Sequence, residues 1–251
     1  MPEDLHRYRD AEDLGGGAAL ALAARLRLLT STRAEEAGPV ELGVSGGFAT
    51  AGVLARVDPT GIIWPGVRVW WVDERFVSAG DPQRNDSEAV RALFERTPGV
   101  DLRPMPADTG QGLEEARAAF AAQWDTEMRG RRLDVALVGM GPDGHVASLF
   151  PRHVQVGQAG PVLAESDSPK PPSARITLAL PVLRAAREVW VVAAGATKAG
   201  ALARAFGGAP VDEVPVAGLL GREADPPEVM RTGVRPTAWW LDEGSASLLP
   251  E

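Results

Sequence analysis

The alternation of apolar runs and helix-like segments along the chain predicts an α/β fold. Short runs rich in valine, leucine and tryptophan alternate with longer segments in which leucine and alanine recur at helical spacing. The segment over residues 151–172 fits neither pattern, and its proline, serine and glycine predict an irregular surface excursion or lid. The order of elements predicts one domain over residues 1–251, a doubly wound, mostly parallel sheet with helices on both faces (Rossmann-like). We assign the apolar runs to strands at residues 40–44, 67–73, 102–105, 133–139, 175–180, 188–194, 214–220 and 237–241.

Helical spacing of apolar residues is found in five segments. ALALAARLRLL predicts a helix over residues 14–36, and the glycines at 15–17 are expected to fray its start. A shorter helix is expected in AGVLARV, residues 51–57. SEAVRALFERT predicts an amphipathic helix with Asp86 or Ser87 as its N-cap. The remaining two helices are expected at residues 113–128 and 198–206.

The most distinctive stretch of the sequence follows the strand predicted at residues 133–139. The apolar run breaks into GMGPDG, in which glycines tolerate positive φ and Pro142 stiffens the loop. His145 comes next, at the carboxyl end of a predicted parallel strand, where open α/β sheets bind their ligands. The chain has only three histidines, so few side chains compete with His145 for proton transfer near neutral pH. Single loop histidines are nevertheless more often structural than catalytic, and Gly-x-Gly alone lacks the third glycine of a dinucleotide-binding motif.

Polar residues also follow other predicted strands. Ser45-Gly46-Gly47 ends the strand at residues 40–44, and such a turn before a helix binds anions but also suits an ordinary βα connection. Asp73-Glu74-Arg75 ends the next strand, where buried charges need partners or a ligand. Lys198 begins the helix that follows a late strand. Because the carboxyl ends of parallel strands meet at one edge, we expect these groups to converge with Asp143-Gly144-His145 on a single site.

Composition narrows the class of ligand and the compartment. The net charge of −8 argues against nucleic acid as a partner, and it requires cations to be gathered locally if the ligand is phosphorylated. Among 26 basic residues the only lysines are Lys170 and Lys198. The absence of cysteine excludes disulfides and thiolate metal sites. No apolar run approaches the roughly 20 residues of a membrane helix, and the first ten residues do not have the pattern of a signal peptide, so we expect a cytoplasmic protein.

The stretch GMGPDGHVASLFP, residues 139–151, resembles the signature of the 6-phosphogluconolactonase family. In that family an SGG loop follows the first strand, Asp-Glu-Arg the next, and Gly-x-x-Lys a late one, and all three recur here in the same order. The resemblance runs from about the SGG turn to Phe206, and the final AWWL is in keeping with it. It implies a sugar-phosphate isomerase-type fold and hydrolysis of 6-phospho-D-glucono-1,5-lactone in the oxidative pentose phosphate pathway, with no metal or organic cofactor.

The resemblance also implies roles for the residues at the predicted edge. His145 is expected to act as a general base on water, and Asp143 either to orient the imidazole or to contact the substrate. Backbone N–H groups of residues 139–144 are expected to stabilise the oxyanion. The phosphate needs several cations, for which we expect Arg75, Lys198 and Arg175. The other expected substrate-binding residues are Ser45, Gly46, Gly47, Asp73 and Gly144.

Two other functions fit the same type of fold. A glucosamine-6-phosphate deaminase shares the Asp-Gly-His core, but the carboxylate that this sister family places after it aligns with Phe150, which cannot transfer a proton. A non-enzymatic sugar-phosphate sensor would carry a helix-turn-helix, for which the residues before Leu14 are too few. We therefore expect a phosphorylated sugar lactone as ligand, no nucleic acid or membrane partner, and a monomer or weak homo-oligomer.

The sequence departs from the family pattern directly after Gly46-Gly47. The family has a polar residue and then threonine there, whereas this chain has Phe48-Ala49-Thr50. Thr50 would replace the missing hydroxyl if the turn shifted by one residue. We favour instead an anion site made of glycine N–H groups, with Phe48 packed inward rather than facing the pocket. If Arg75 does not bind phosphate, it is expected to form an ion pair with its acidic neighbours. If Lys198 does not, it is expected to be a solvated cation. Arg84 is expected to be a surface charge.

Overall fold

The computed structural model describes residues 4–221 and 236–250 of the chain. Within these ranges the strands are β1 (Asp4–Tyr8), β2 (Val40–Val44), β3 (Val67–Trp71), β4 (Asp73–Arg75), β5 (Asp101–Arg103), β6 (Val135–Gly139), β7 (Val162–Glu165), β8 (Arg175–Leu178), β9 (Glu188–Ala193) and β10 (Ala238–Asp242). Seven of them form one sheet in the order β1-β10-β9-β6-β2-β3-β5. Every pairing in this sheet is parallel, which confirms the predicted fold class.

The helices of the described ranges connect these strands. The helix predicted at residues 113–128 has the expected bounds. Side chains of the central strands β2, β6 and β9 are almost completely buried, as expected for parallel strands covered on both faces. Across residues 4–221 and 236–250 no helix is both long enough and apolar enough to cross a membrane. The helices are α1 (Ala11–Thr32), α2 (Asn85–Ala92), α3 (Leu113–Met128), α4 (Leu180–Ala185), α5 (Ala199–Phe206) and α6 (Glu243–Ala246).

A second, three-stranded antiparallel sheet, in the order β4-β8-β7, was not predicted from the sequence. The apolar run at residues 67–73 predicts one strand, but β3 ends at Trp71 and Asp73 begins β4 in the other sheet. The segment 151–172, predicted to be irregular, contains β7. The register places Arg75 opposite Arg175, so this small sheet joins segments of chain that are far apart in sequence.

The predicted fraying of the first helix is wrong. Helix α1 begins at Ala11, and the Asp10 carboxylate caps it by accepting the backbone N–H groups of Glu12 and Asp13 at 3.0 and 2.9 Å. Gly15, Gly16 and Gly17 therefore lie inside the helix. A Cβ at Gly15 would lie 2.4 Å from the carbonyl oxygen of Gly52, so the glycine allows close contact between α1 and the turn after β2.

Three further predictions are corrected by the structure. Residues 214–220 were predicted to be a strand, but Pro215–Leu219 forms a 3₁₀ turn, because Pro215 has no N–H to donate to a ladder. Helix α2 begins at Asn85, with Arg84 rather than Asp86 or Ser87 at the N-cap position. The helix predicted at residues 51–57 is two short turns, one π-helical and one 3₁₀, over Ala49–Val53 and Leu54–Arg56.

Neighbouring glycines of α1 provide a matched test of this packing. We expect Gly15→Ala to lower the free energy of unfolding by about 1–3 kcal/mol, because its Cβ would overlap the Gly52 carbonyl. Gly16→Ala should raise it by about 0.5–1 kcal/mol, because Gly16 has open space around it and alanine is the better helix former. Urea denaturation of both variants measures the difference. Equal effects of the two substitutions would contradict the close contact.

Candidate active site

The predicted site residues converge on one cavity of about 340 Å³ at the carboxyl edge of the parallel sheet. The ends of β2 and β6 form one side, and the small sheet and the start of α5 form the others. Of the residues predicted from the sequence, only Asp143 and Gly144 do not line the cavity. The polar side chains that line it belong to Ser45, Asp73, Arg75, Asn85, His145, Lys170, Arg175 and Lys198.

His145 is held by Asp143, two residues before it. Nδ1 of the imidazole lies 2.5 Å from Oδ1 of Asp143, and the backbone N–H of His145 donates to the same oxygen at 3.3 Å. Burial acts to raise the pKa of Asp143, but the hydrogen bond from His145 and its charge outweigh burial and lower that pKa to about 2. Asp143 is therefore ionised at neutral pH, and Nε2 of His145 is the nitrogen left to exchange a proton in the cavity.

Glycines fix the loop that presents this pair. A Cβ at Gly141 would lie 2.1 Å from the His145 ring, so only glycine fits under the imidazole. Gly144 has φ +87°, and a Cβ there would lie 2.7 Å from Val214. Phe150 supplies the apolar wall, since its ring centroid is 4.7 Å from that of His145 and its side chain is almost fully buried.

Three amides of this loop are already hydrogen-bonded within the protein and do not fit their expected role at an oxyanion. Gly139 N donates to Ser45 Oγ at 2.7 Å, Gly141 N donates to the carbonyl of His145 at 2.9 Å, and Gly144 N donates to the carbonyl of Gly141 at 3.1 Å. These hydrogen bonds shape the loop and tie the end of β6 to the end of β2. The prediction that N–H groups of residues 139–144 bind the oxyanion is therefore not supported for these three.

The turn after β2 presents backbone groups to the cavity. Within residues 4–221 and 236–250, neither Gly46 N nor Gly47 N donates a hydrogen bond. Gly46 also has no room for a side chain, because a Cβ would lie 2.0 Å from Oδ1 of Asn85. Thr50 does not replace the family's hydroxyl, since it is fully buried and donates to the carbonyl of Ser45 at 2.9 Å. Phe48 packs its ring on Gly52 and also lines the cavity. It therefore both packs inward and faces the pocket, the two orientations expected as alternatives from the sequence.

Asn85 connects the acidic and basic groups at the other end of the cavity, a role that was not expected from the sequence. Its Nδ2 donates to the carbonyl of Asp73 at 2.9 Å, and its Oδ1 accepts from Arg75. Arg75 also donates to the carbonyl of Gln83 at 2.9 Å. Asp73 accepts from Ser148 Oγ at 2.8 Å, and both side chains are buried. The Arg75 guanidinium is thus oriented by neutral oxygens rather than by an ion pair with its acidic neighbours.

Glu74 lies behind this network and caps α2 from the neighbouring strand. Its carboxylate accepts the backbone N–H groups of Asn85 and Asp86, both at 2.8 Å. Burial raises the pKa of Glu74 to about 7, although these hydrogen bonds and the charge of Arg84 oppose the shift. Arg84 is not the expected surface charge, since it is only 2% exposed and pairs with Asp86 at 2.6 Å.

Among the described residues, four cations face the cavity although the whole chain is acidic, namely those of Arg75, Lys170, Arg175 and Lys198. Burial lowers the pKa of Lys198, and the nearby charge of Lys170 lowers it further. Burial also lowers the pKa of Arg175. Such a cluster of like charges is unfavourable unless an anion joins it. In the described part of the chain, no group of three or more histidine, aspartate or glutamate side chains is arranged to hold a metal ion.

Fold and cavity together define an α/β protein whose ligand site lies at the carboxyl edge of a parallel sheet and suits a small anion. Residues 15–226 match the family model described as glucosamine-6-phosphate isomerases/6-phosphogluconolactonase. The chain belongs to this family.

Curated relatives and solved structures agree with the match. The chain is 38% identical to 6-phosphogluconolactonase of Streptomyces coelicolor, over 92% of this chain and 91% of that protein. It is 35% identical to 6-phosphogluconolactonase of Mycobacterium leprae over the full length of both. The crystal structure of a 6-phosphogluconolactonase from Shewanella baltica superposes with a TM-score of 0.80 at 20% identity, covering 95% of this chain and 97% of that one, and shares its fold.

The shifted pKa of Glu74 predicts a pH-dependent stability. The pKa of this carboxyl is higher in the folded state than in the unfolded state. Its contribution to stability is therefore complete when the pH is below its unfolded-state pKa, near 4.5. That stabilisation is lost as the pH rises through about 7. We expect the free energy of unfolding to fall by roughly 2–3 kcal/mol from this group between pH 5 and pH 8.5.

Glu74→Gln isolates the contribution of this carboxyl. The variant should be less stable than the parent at pH 5, because it loses one acceptor for the N–H groups of α2, but its stability should depend less on pH. Urea denaturation of both proteins at several pH values gives the two curves. Parallel curves would show that Glu74 does not titrate in this window.

Proposed function

We propose that the protein hydrolyses 6-phospho-D-glucono-1,5-lactone to 6-phosphogluconate, the lactone-opening step of the oxidative pentose phosphate pathway. The observation that carries the proposal is a carboxylate-paired histidine in the same cavity as four cationic side chains. The names of the curated relatives support the choice of substrate. The chemistry requires neither a metal nor an organic cofactor, and it suits a cytoplasmic enzyme.

His145 is the proposed general base. Its Nε2 takes a proton from water as the water oxygen attacks the lactone carbonyl carbon, which gives a tetrahedral oxyanion. When the oxyanion collapses, the bond from that carbon to the ring oxygen breaks, and His145 returns the proton to the departing ring oxygen. Asp143 fixes the imidazole through Nδ1 and balances the positive charge that the ring carries between the two steps.

The cations and the free turn amides are proposed to hold the phosphate. A phosphate monoester carries about −1.5 to −2 charges near neutral pH and needs more than one cationic partner. Lys198 and Arg75 line the cavity together with Gly46 and Gly47, whose N–H groups have no acceptor among the described residues. An anion bound there would relieve the repulsion between the cations, so phosphate recognition and stability of the site reinforce each other.

The cavity is less suited to an amino-sugar deaminase. That reaction needs an additional acid–base group near the histidine, and the sister family's motif places a carboxylate at the position of Phe150. Here a buried phenyl ring lies against His145 instead. Lactone hydrolysis requires no further proton-transfer group beyond His145, so it is the reaction that these residues support best.

Substitution of His145 tests the assignment of the base. We expect His145→Asn to lower kcat for the lactone by about 10²–10⁴-fold, as is typical for loss of a general base, with the melting temperature close to that of the parent. Asp143→Asn should reduce kcat by a smaller factor, because the imidazole remains but is oriented less well. Initial rates above the spontaneous hydrolysis provide the measurement. A His145→Asn variant with the parent's turnover would refute the assignment.

Substitution of Lys198 tests the phosphate contact. We expect Lys198→Ala to raise KM for the phosphorylated lactone about 10-fold or more, because a charge-assisted contact in a half-buried position is lost. The unphosphorylated glucono-1,5-lactone should be affected far less. Steady-state kinetics with both substrates give the comparison, and an equal loss for the two would show that Lys198 does not contact the phosphate.

A further inference from the structure

Both lysines of the chain face the same cavity, although they come from different segments. Lys198 precedes α5, and Lys170 lies in the loop between β7 and β8. The chain has 26 lysine and arginine residues, so it uses arginine nearly everywhere else. Lysine differs from arginine in carrying a compact, strongly hydrated charge on a flexible stem with three rotatable donors. Two such groups at one cavity suit a ligand with several anionic oxygens.

The backbone of Lys170 is fixed by two buried side chains. Its carbonyl accepts from Arg175 Nη2 and from Ser168 Oγ, both at 3.0 Å, and its N–H donates to the same Ser168 oxygen at 3.2 Å. Arg175 Nε donates in addition to the carbonyl of Pro172 at 2.9 Å. Arg175 and Ser168 are 5% and 7% exposed, respectively. The position of Lys170 beside the cavity is therefore set by the fold rather than by a mobile loop.

The side chain of Lys170, in contrast, forms no direct bond to another described residue. It is exposed, and across residues 4–221 and 236–250 its ammonium forms no ion pair or hydrogen bond. Its charge is nevertheless close enough to lower the pKa of both Lys198 and Asp143. A cation that lies beside a second cation and forms no hydrogen bond or ion pair of its own is positioned to bind an anion shared by both.

We infer that Lys170 is a second lysine ligand of the substrate phosphate, binding it from the β7–β8 loop while Lys198 binds it from the start of α5. Arg175, which was expected from the sequence to contact phosphate, acts in this arrangement as the positioning residue that holds the Lys170 backbone. This inference rests on the proposed function for the identity of the phosphorylated ligand. Lys170 was not among the site residues expected from the sequence.

The presence of only two lysines allows a direct binding experiment. Protein labelled with ¹³C at the lysine Cε gives two lysine signals, which a Lys198→Arg variant assigns. We expect 6-phosphogluconate and inorganic phosphate to shift both signals with a single dissociation constant for each ligand, and gluconate to shift neither. Movement of the Lys198 signal alone would overturn the inference. So would a shift of the Lys170 signal by gluconate as large as that by 6-phosphogluconate.

Kinetics of Lys170 variants separate binding from catalysis. We expect Lys170→Gln to raise KM for the phosphorylated lactone about 10-fold with kcat changed less than about 3-fold, and Lys170→Arg to restore most of the affinity. KM for the unphosphorylated lactone should stay near the parent value. Arg96→Gln, which removes an exposed charge from the turn after α2, is the control for net charge and should behave like the parent. An unchanged KM in Lys170→Gln would reject the role.

The two proposals fail in different ways. A parent protein that does not hydrolyse the phosphorylated lactone at all would reject the proposed function. The titration with inorganic phosphate would still report whether both lysines bind one anion, because that measurement does not depend on turnover. Absence of any phosphate-induced shift at Lys170 would reject the lysine pair even if the lactonase activity were present.

Discussion

The antiparallel ladder between β4 and β8 places two arginines opposite each other, at Arg75 and Arg175. Like charges at directly opposed positions of a sheet destabilise it. The structure offsets this by surrounding the pair with oxygens. Arg75 donates to Asn85 and Gln83, and Arg175 donates to the carbonyls of the loop that carries Lys170. The positive charge of the two guanidinium groups faces the cavity, and an anion bound there would neutralise it.

This constraint explains why the small sheet matters for the site. The parallel sheet alone brings together the ends of β2 and β6, which supply the glycine turn and the Asp143–His145 pair. Among the described cationic side chains at the cavity, the parallel sheet supplies that of Lys198, which follows β9. Those of Arg75, Arg175 and Lys170 arrive through β4, β8 and the loop between β7 and β8. The anion-binding groups thus come from both sheets, which Asp73 joins through its contacts with Ser148 and Asn85.

The large features of the fold were predictable because they depend on local pattern. Apolar runs identified every inner strand of the parallel sheet, and the rule that strand ends share one edge placed His145 beside the Ser45 turn and Lys198. The small sheet could not be predicted in this way. Its strands are three or four residues long and polar at Arg75 and Arg175, so their pairing depends on tertiary contacts rather than on alternation.

The missed details have the same physical origin. The glycines of α1 are poor helix formers by propensity, but the close approach of Gly52 makes glycine necessary at position 15. Arg84 has the composition of a surface charge, yet the carboxylates of Glu74 and Asp86 allow it to be buried. The proposed role of Lys170 could not be predicted from periodicity, because the segment around Lys170 has none. That Lys170 is one of only two lysines was a usable signal. In each case tertiary contacts, which propensity and composition do not reveal, decide the outcome.

The central claim is that this cavity opens a phosphorylated sugar lactone with water. The most direct test is the rate at which the purified parent protein converts freshly prepared 6-phospho-D-glucono-1,5-lactone to 6-phosphogluconate near neutral pH, with the spontaneous hydrolysis subtracted. Ammonia release from glucosamine 6-phosphate is measured on the same preparation. The account predicts a saturable lactonase rate far above the background and no ammonia. A lactone rate equal to the background, or rapid ammonia release, would contradict it.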